Sequence, residues 1–105
     1  MAGGVRATFG ADRSDLNSVT EAAIRSFARP LKATQQAVNV AAYAAGSADD
    51  PSTPRRLSLA RALAARAVLI NEGIPSTRIY VRALGPAGGD GPPDRVDVST
   101  TGVQP

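Results

Sequence analysis

An α/β fold, a two-layer sandwich with its elements in the order β-α-β-α-β-β, is predicted by three features of the sequence. Short runs alternate with period two at both ends of the chain: Val5, Ala7 and Phe9 against Arg6 and Thr8, and Val96 and Val98 against Arg95, Asp97 and Ser99. Between them lie two stretches with helical start and stop signals. Aromatics make up only 4% of the residues, so the core is built from Val, Ile, Leu and many Ala, which favours close spacing of the elements. At 105 residues the chain is the size of one domain with one core, and residues 1–105 read as such a unit, with 1–4 and 101–105 as flexible ends.

Taken in order, residues 5–9 form a half-buried strand that Gly10 ends. The run Ser18, Val19, Thr20, Glu21 fits a capping box, with Leu16 packing just ahead of it. Ile24, Phe27, Ala28 and Leu31 then recur at helical spacing, and Pro30 predicts a kink or an end near Phe27 and Ala28, because an interior Pro removes a hydrogen bond. Residues 36–44 read as a strand with Val38 and Val40 on one side and Asn39 and Ala41 on the other. A polar loop over 46–52 leads to Thr53, expected as N-cap, and Pro54 at the first helical position, where its missing donor costs nothing.

This second helix is expected to run to about Glu72 and to stop at Gly73, with Ile74 folding back on the apolar face and Pro75 forbidding continuation. Residues 78–84 alternate again, with Ile79, Val81 and Ala83 facing one way. A Gly- and Pro-rich connection over 85–93 leads to the last strand, residues 95–99. Helices of this length cross back over a sheet, so the middle strand-helix-strand unit is expected to be parallel and the closing strand antiparallel. Both helices then cover one face of a mixed sheet. The charges Asp94, Arg95 and Asp97 read as those of an edge strand, where they discourage sheet-to-sheet pairing.

The net charge of +3 comes almost entirely from Arg, with a single Lys. Arg suits planar carboxylate or phosphate partners. With no Cys and no His, thiol chemistry, the usual zinc sites and imidazole acid/base catalysis are unavailable, and the expectation is a protein that is not an enzyme and uses no cofactor or metal. No aromatic residues interleave with the basic ones, which argues against a nucleic-acid partner. No apolar run approaches the ~18 to 20 residues that span a bilayer, so no membrane contact is expected from this segment itself. Residues 1–4 lack the pattern of a signal peptide, so a role outside the cytoplasm is expected to require an export signal or an anchor outside these residues.

The run Arg55, Arg56, Leu57, Ser58, Leu59, Ala60, Arg61, Ala62, Leu63, continued by Gly73, Ile74, Pro75 and by Arg78 to Gly85, resembles an OmpA-like domain. In that family a helix of the form LSxxRAxxVxxxLxxxG feeds a strand of the form RIxxxGxG. The likeness runs from Phe9 onward, and the pattern as a whole resembles a divergent branch of such domains from α-proteobacteria. It implies a peptidoglycan-binding module that anchors an envelope protein to the Gram-negative wall. That places it in the periplasm, held to the outer or inner membrane through a region absent from this chain. Arg61 resembles the Arg that grips a carboxylate of diaminopimelate in the stem peptide, through two parallel hydrogen bonds. Arg95 resembles the second Arg of the family's NRRV ending.

Family members end the second strand with GHTD, whose Asp binds the diaminopimelate. Here the corresponding stretch is Ala42, Tyr43, Ala44, Ala45, Gly46, and the Asp is gone. Asp49 and Asp50 read either as plain loop residues or as substitutes reaching back to the ligand. Tyr43 reads as a strand residue packing on a helix or as a stacking wall of a ligand cleft. Arg61 borders the apolar face of its helix, where its stem can lie over the helix with its head in water; the resemblance makes it a ligand-binding residue. Arg55, Arg56 and Arg66 read as a solvated face. The alternative function keeps the OmpA-like scaffold without wall binding and docks a protein partner, through Arg55 and Arg56 or the loop over 85–93.

Overall fold

In the computed structural model, residues 4–10, 13–46, 52–86 and 92–100 are described. Strand β1 (Gly4–Thr8) is followed by helix α1 (Ser18–Ala28), a 3₁₀ turn (Arg29–Ala33), β2 (Val38–Tyr43), helix α2 (Ser52–Asn71), a second 3₁₀ turn (Ser76–Arg78), β3 (Ile79–Gly85) and β4 (Arg95–Thr100). The order matches the expected β-α-β-α-β-β sandwich, and each predicted strand falls within a residue or two of its place.

The four strands form one mixed sheet in the order β1-β4-β2-β3. β2 and β3, joined through α2, are parallel, whereas β4 inserts between β1 and β2 and runs antiparallel to both. The expectation that Asp94, Arg95 and Asp97 mark an edge strand is therefore corrected: β4 is central and the edges are β1 and β3. Asp97 is tolerated there because Arg6 and Arg95 hold its two oxygens, at 2.8 and 3.0 Å.

Register sets the core. Val5, Val98, Val40 and Val81 form one row across the sheet, and Ala7, Val96, Ala42 and Ala83 the next. Over these rows lie Ile24 and Ala28 of α1 and Ala62, Ala65, Val68 and Leu69 of α2, in one cluster of buried side chains. Burying each larger aliphatic contributes about 1.5–3 kcal/mol. The small Ala residues at the helix–sheet contact let the layers approach, which an aromatic-poor composition demands.

The start of α1 differs from the predicted one. Asn17, not Ser18, is the cap: its side chain accepts from the Thr20 amide at 2.8 Å, and the Thr20 hydroxyl accepts from the Asn17 amide at 3.2 Å. Asn caps at least as well as Ser, so moving the frame back one residue keeps the reciprocal pair and frees Glu21 to meet Arg25 at 3.5 Å. Leu16, one residue ahead of the cap, packs against the core as expected. The helix ends at Ala28, where Pro30 forces the tighter 3₁₀ turn. Arg78 then ties down the chain leaving that turn, donating to the carbonyls of Leu31 and Gln36 at 2.9 and 2.8 Å.

Helix α2 begins at Ser52, so Thr53 lies inside its first turn rather than capping it, and Pro54 sits in the same turn, buried. An amide there has no intrahelical acceptor, so Pro remains free of cost. The end follows the prediction. Gly73 adopts φ +105°, its amide donates to Ile70 O at 2.9 Å, and the Ile74 amide donates to Leu69 O at 3.0 Å. This is a Schellman closure with Ile74 as its buried hydrophobic residue. No helix among the described residues is long and apolar enough to cross a membrane. Gly4, expected in the flexible N-terminal end, instead opens β1 and pairs with Ser99; the rest of the expected flexible ends and most of the loops over 46–52 and 85–93 lie outside the described residues.

Candidate functional site

The buried face of α2 carries Pro54, Ser58, Arg61, Ala62, Ala65, Val68 and Leu69. Arg61 stands mid-helix on that face. It points to the end of the sheet where the chain leaves β1 and β2 and enters β4. Its side chain is 0% exposed, so the alternative reading that left its head in water does not hold: the guanidinium is enclosed by the protein's own acceptors. Nε donates to Arg13 O at 2.7 Å, Nη1 to Tyr43 O at 2.9 Å and to Asp94 Oδ1 at 2.8 Å, and Nη2 to Gly10 O at 3.1 Å. The Phe9 ring lies beneath it, 4.8 Å from its central carbon. Burying a guanidinium is costly unless its donors are satisfied, and these partners, drawn from three separate connections, satisfy it.

Asp94 supplies the countercharge. Its Oδ1 also accepts from the Ala45 amide at 3.1 Å. Burial alone would raise this carboxyl, but the hydrogen bonds from Arg61 and Ala45 and the charge of Arg61 outweigh it and hold the pKa below the ordinary value. Arg61 and the Ala45 amide together form a seat for one carboxylate oxygen.

Arg95 and Tyr43 form a second cluster at the same end of the sheet, as neighbours across β4 and β2. The Arg95 guanidinium stacks on the Tyr43 ring at 4.1 Å, and its nitrogens donate to Asp97 Oδ2 at 3.0 Å and to Pro92 O at 2.7 Å. Arg95 is 7% exposed. The Tyr43 ring thus packs on the Arg95 guanidinium, a contact that neither sequence reading of it anticipated. Asp97 is likewise held low: burial would raise it, but hydrogen bonds from Arg6 and Arg95 prevail. Tyr43 reaches Arg61 only through its main-chain carbonyl. Asp49 and Asp50 lie outside the described residues.

Sequence reasoning missed three participants. Asp94 read as an edge charge, and nothing in a separation of 33 residues pairs it with Arg61. Phe9 read only as strand core. Ser58, 0% exposed, donates to Arg55 O at 2.9 Å and accepts from the Gly85 amide at 3.1 Å, tying α2 to the end of β3. A Ser on the apolar stripe of a helix was the available signal for it.

The fold is shared with several solved structures. The OmpA-like domain of FopA1 from Francisella tularensis superposes with a TM-score of 0.77 at 23% identity, over 96% of this chain and 75% of that one. The peptidoglycan-associated lipoprotein from Burkholderia pseudomallei gives 0.72 at 18% identity, over 91% and 89%. The C-terminal domain of MotB from Helicobacter pylori gives 0.76 at 17% identity, over 94% and 85%. No curated protein sequence matches the chain. The model of the OmpA family matches residues 8–94, which include β2, α2, β3 and the whole Arg61 seat, and the chain belongs to that family.

Proposed function

We propose that this domain is a non-catalytic, peptidoglycan-binding module of the cell envelope, working in the periplasm and anchored to a membrane through a region outside these residues. The reading rests on one observation above the others: Arg61 and the Ala45 amide already hold a carboxylate oxygen, that of Asp94. A stem-peptide carboxylate of diaminopimelate has the same chemistry and takes this seat by exchange, displacing the Asp94 carboxylate. Asp49 and Asp50 then serve the ligand's ammonium group, and Arg95 on Tyr43 steadies the neighbouring strand end. Family membership supports the reading, as do a neighbour named a peptidoglycan-associated lipoprotein and others that are periplasmic domains of MotB.

A second reading is favoured by the complete burial of Arg61. In it the arginine is a structural clasp, and the domain is a scaffold that docks a protein partner. The two separate in one experiment. The labelled domain and its Asp94→Asn variant are titrated with a diaminopimelate-containing wall peptide while amide shifts are followed. Under exchange, shifts saturate at residues 44–46 and 61, and the variant binds more tightly because its internal competitor has lost its charge. Absence of shifts in both proteins at millimolar peptide would falsify wall binding and leave the scaffold.

A further inference from the structure

We infer that the groove between the first half of α2 and strand β3 is a docking site for an extended segment of a partner protein, one carrying Asp or Glu residues beside an apolar run. The groove holds about 660 Å³ and is lined by Ser52, Arg55, Arg56 and Leu59 of α2 and by Ala83 of β3. Two features fix the class of occupant.

The first is the free edge. β3 pairs with β2 on one side only and ends the sheet. Among the described residues no strand pairs with its other row of main-chain groups, which suits strand addition, in which backbone hydrogen bonds give affinity and alternate side chains give specificity. Beside that edge, α2 leaves Leu59 and Leu63 at 42% and 45% exposure and Ile70 at 39%. At spacings of 4 and 7 residues these fall on one stripe of the helix. An added strand would therefore lay alternate apolar side chains against Leu59 and Ala83.

The second is charge. Among the described residues, Arg6, Arg13, Arg25, Arg29, Arg61 and Arg95 each face a carboxylate, and Arg78 is taken up by carbonyls. Arg55 and Arg56 have no such partner among the described residues. Both are exposed, and both stand near the start of α2, Arg55 in its first turn and Arg56 just after it, where the helix dipole opposes cations, so helix stability does not explain them. Arg82, on β3, adds a third exposed cation along the same edge. A second copy of this chain would bring the same cations face to face, and among the described residues no aromatic lines the groove for nucleotide stacking. An acidic, apolar peptide answers both features.

The test is a selection of random phage-displayed dodecapeptides on the immobilised domain, followed by titration of the labelled domain with the enriched peptides. The expected peptides carry Asp or Glu next to an apolar run and shift amides in residues 52–59 and 79–85. Their affinity falls about tenfold or more in the Arg55→Glu/Arg56→Glu variant, and likewise in Leu59→Asp. These are surface changes, and an unaltered thermal midpoint confirms the fold of each variant. Failure to enrich acidic peptides, or equal binding by the variants, overturns the inference. So do shifts confined to residues 44–46, or a concentration-dependent dimer that occupies the groove. Because the Arg61 seat is untouched by these variants, wall-peptide binding can fail or succeed independently.

Discussion

Asp94 and Arg61, 33 residues apart in sequence, meet at 2.8 Å in a buried ion pair that gathers three connections of the fold onto one helix residue. The same guanidinium takes the carbonyls of Gly10 and Arg13 from the segment after β1, and that of Tyr43 from the end of β2. A residue that reads in sequence as a ligand contact is thus also a clasp for the end of the sheet. The clasp and the proposed ligand contact would use one property, a planar fork of five donors, and differ only in who supplies the carboxylate.

Replacing Arg61 by Lys is expected to destabilise the domain by about 3 kcal/mol, because one ammonium has three donors on a point charge and cannot reach acceptors spread around a fork. Arg61→Ala is expected to cost about 3–5 kcal/mol, since it strands a carboxylate and three carbonyls. Total stabilities of about 5–15 kcal/mol put the Ala variant near the edge of folding. Urea unfolding measures both. A loss below about 1 kcal/mol for Lys would mean that the four hydrogen bonds are dispensable.

Asp94 and Asp97 both have depressed pKa values in the fold, because hydrogen bonds from arginines outweigh the effect of burial. A carboxyl whose folded pKa lies below its unfolded value contributes stability that is present above the unfolded pKa, about 3.9, and is lost as pH falls through the folded one. With no histidine in the chain, stability is expected to be nearly flat from about pH 8 to pH 5 and to fall below about pH 4. Asp94→Asn is expected to lose about 1–2 kcal/mol at neutral pH and to show a shallower acid limb, so that the two curves converge in acid. Curves that stay parallel down to pH 2 would remove Asp94 from the acid response.

Ser58→Ala is expected to cost about 1–3 kcal/mol, more than a surface Ser, because it leaves the buried Gly85 amide without its acceptor. Gly85 lies at φ +68° facing the start of α2, where a Cβ built on it would stand 3.7 Å from the Arg55 amide nitrogen, in ordinary contact. Chemical denaturation gives the loss. Amide exchange at Gly85 should accelerate more than at Ile79, at the far end of the same strand.

The elements were legible in the sequence because local rules decide them. The alternation of Val5, Ala7 and Phe9, the Pro30 break and the Gly73, Ile74, Pro75 stop each act over a few residues. The cap of α1 was misplaced by one position because Asn17 and Ser18 are both good caps, and the reciprocal partner, Thr20, decides between them. The place of β4 inside the sheet was not legible, since charges on a strand signal an edge unless partners are known, and Arg6 lies 91 residues away from Asp97. Arg61 could be singled out by its motif, but its enclosure depends on Asp94 and on carbonyls from segments that no local pattern connects.

The stop at Gly73 offers the sharpest local test. Its φ of +105° lies where an L side chain is strained, whatever space surrounds it. Space is not the obstacle here, because an added Cβ would meet only the flexible Lys32 side chain, at 3.4 Å. Gly73→Ala is therefore expected to cost about 1–2 kcal/mol through backbone strain. Relief by unwinding would sacrifice the Ile74 to Leu69 hydrogen bond and draw the buried Ile74 out of the core. Thermal unfolding of Gly73→Ala alone and combined with Lys32→Ala separates strain from crowding. A loss that persists when Lys32 is truncated assigns the cost to φ, whereas a loss that disappears would mean that the lysine contact had set it.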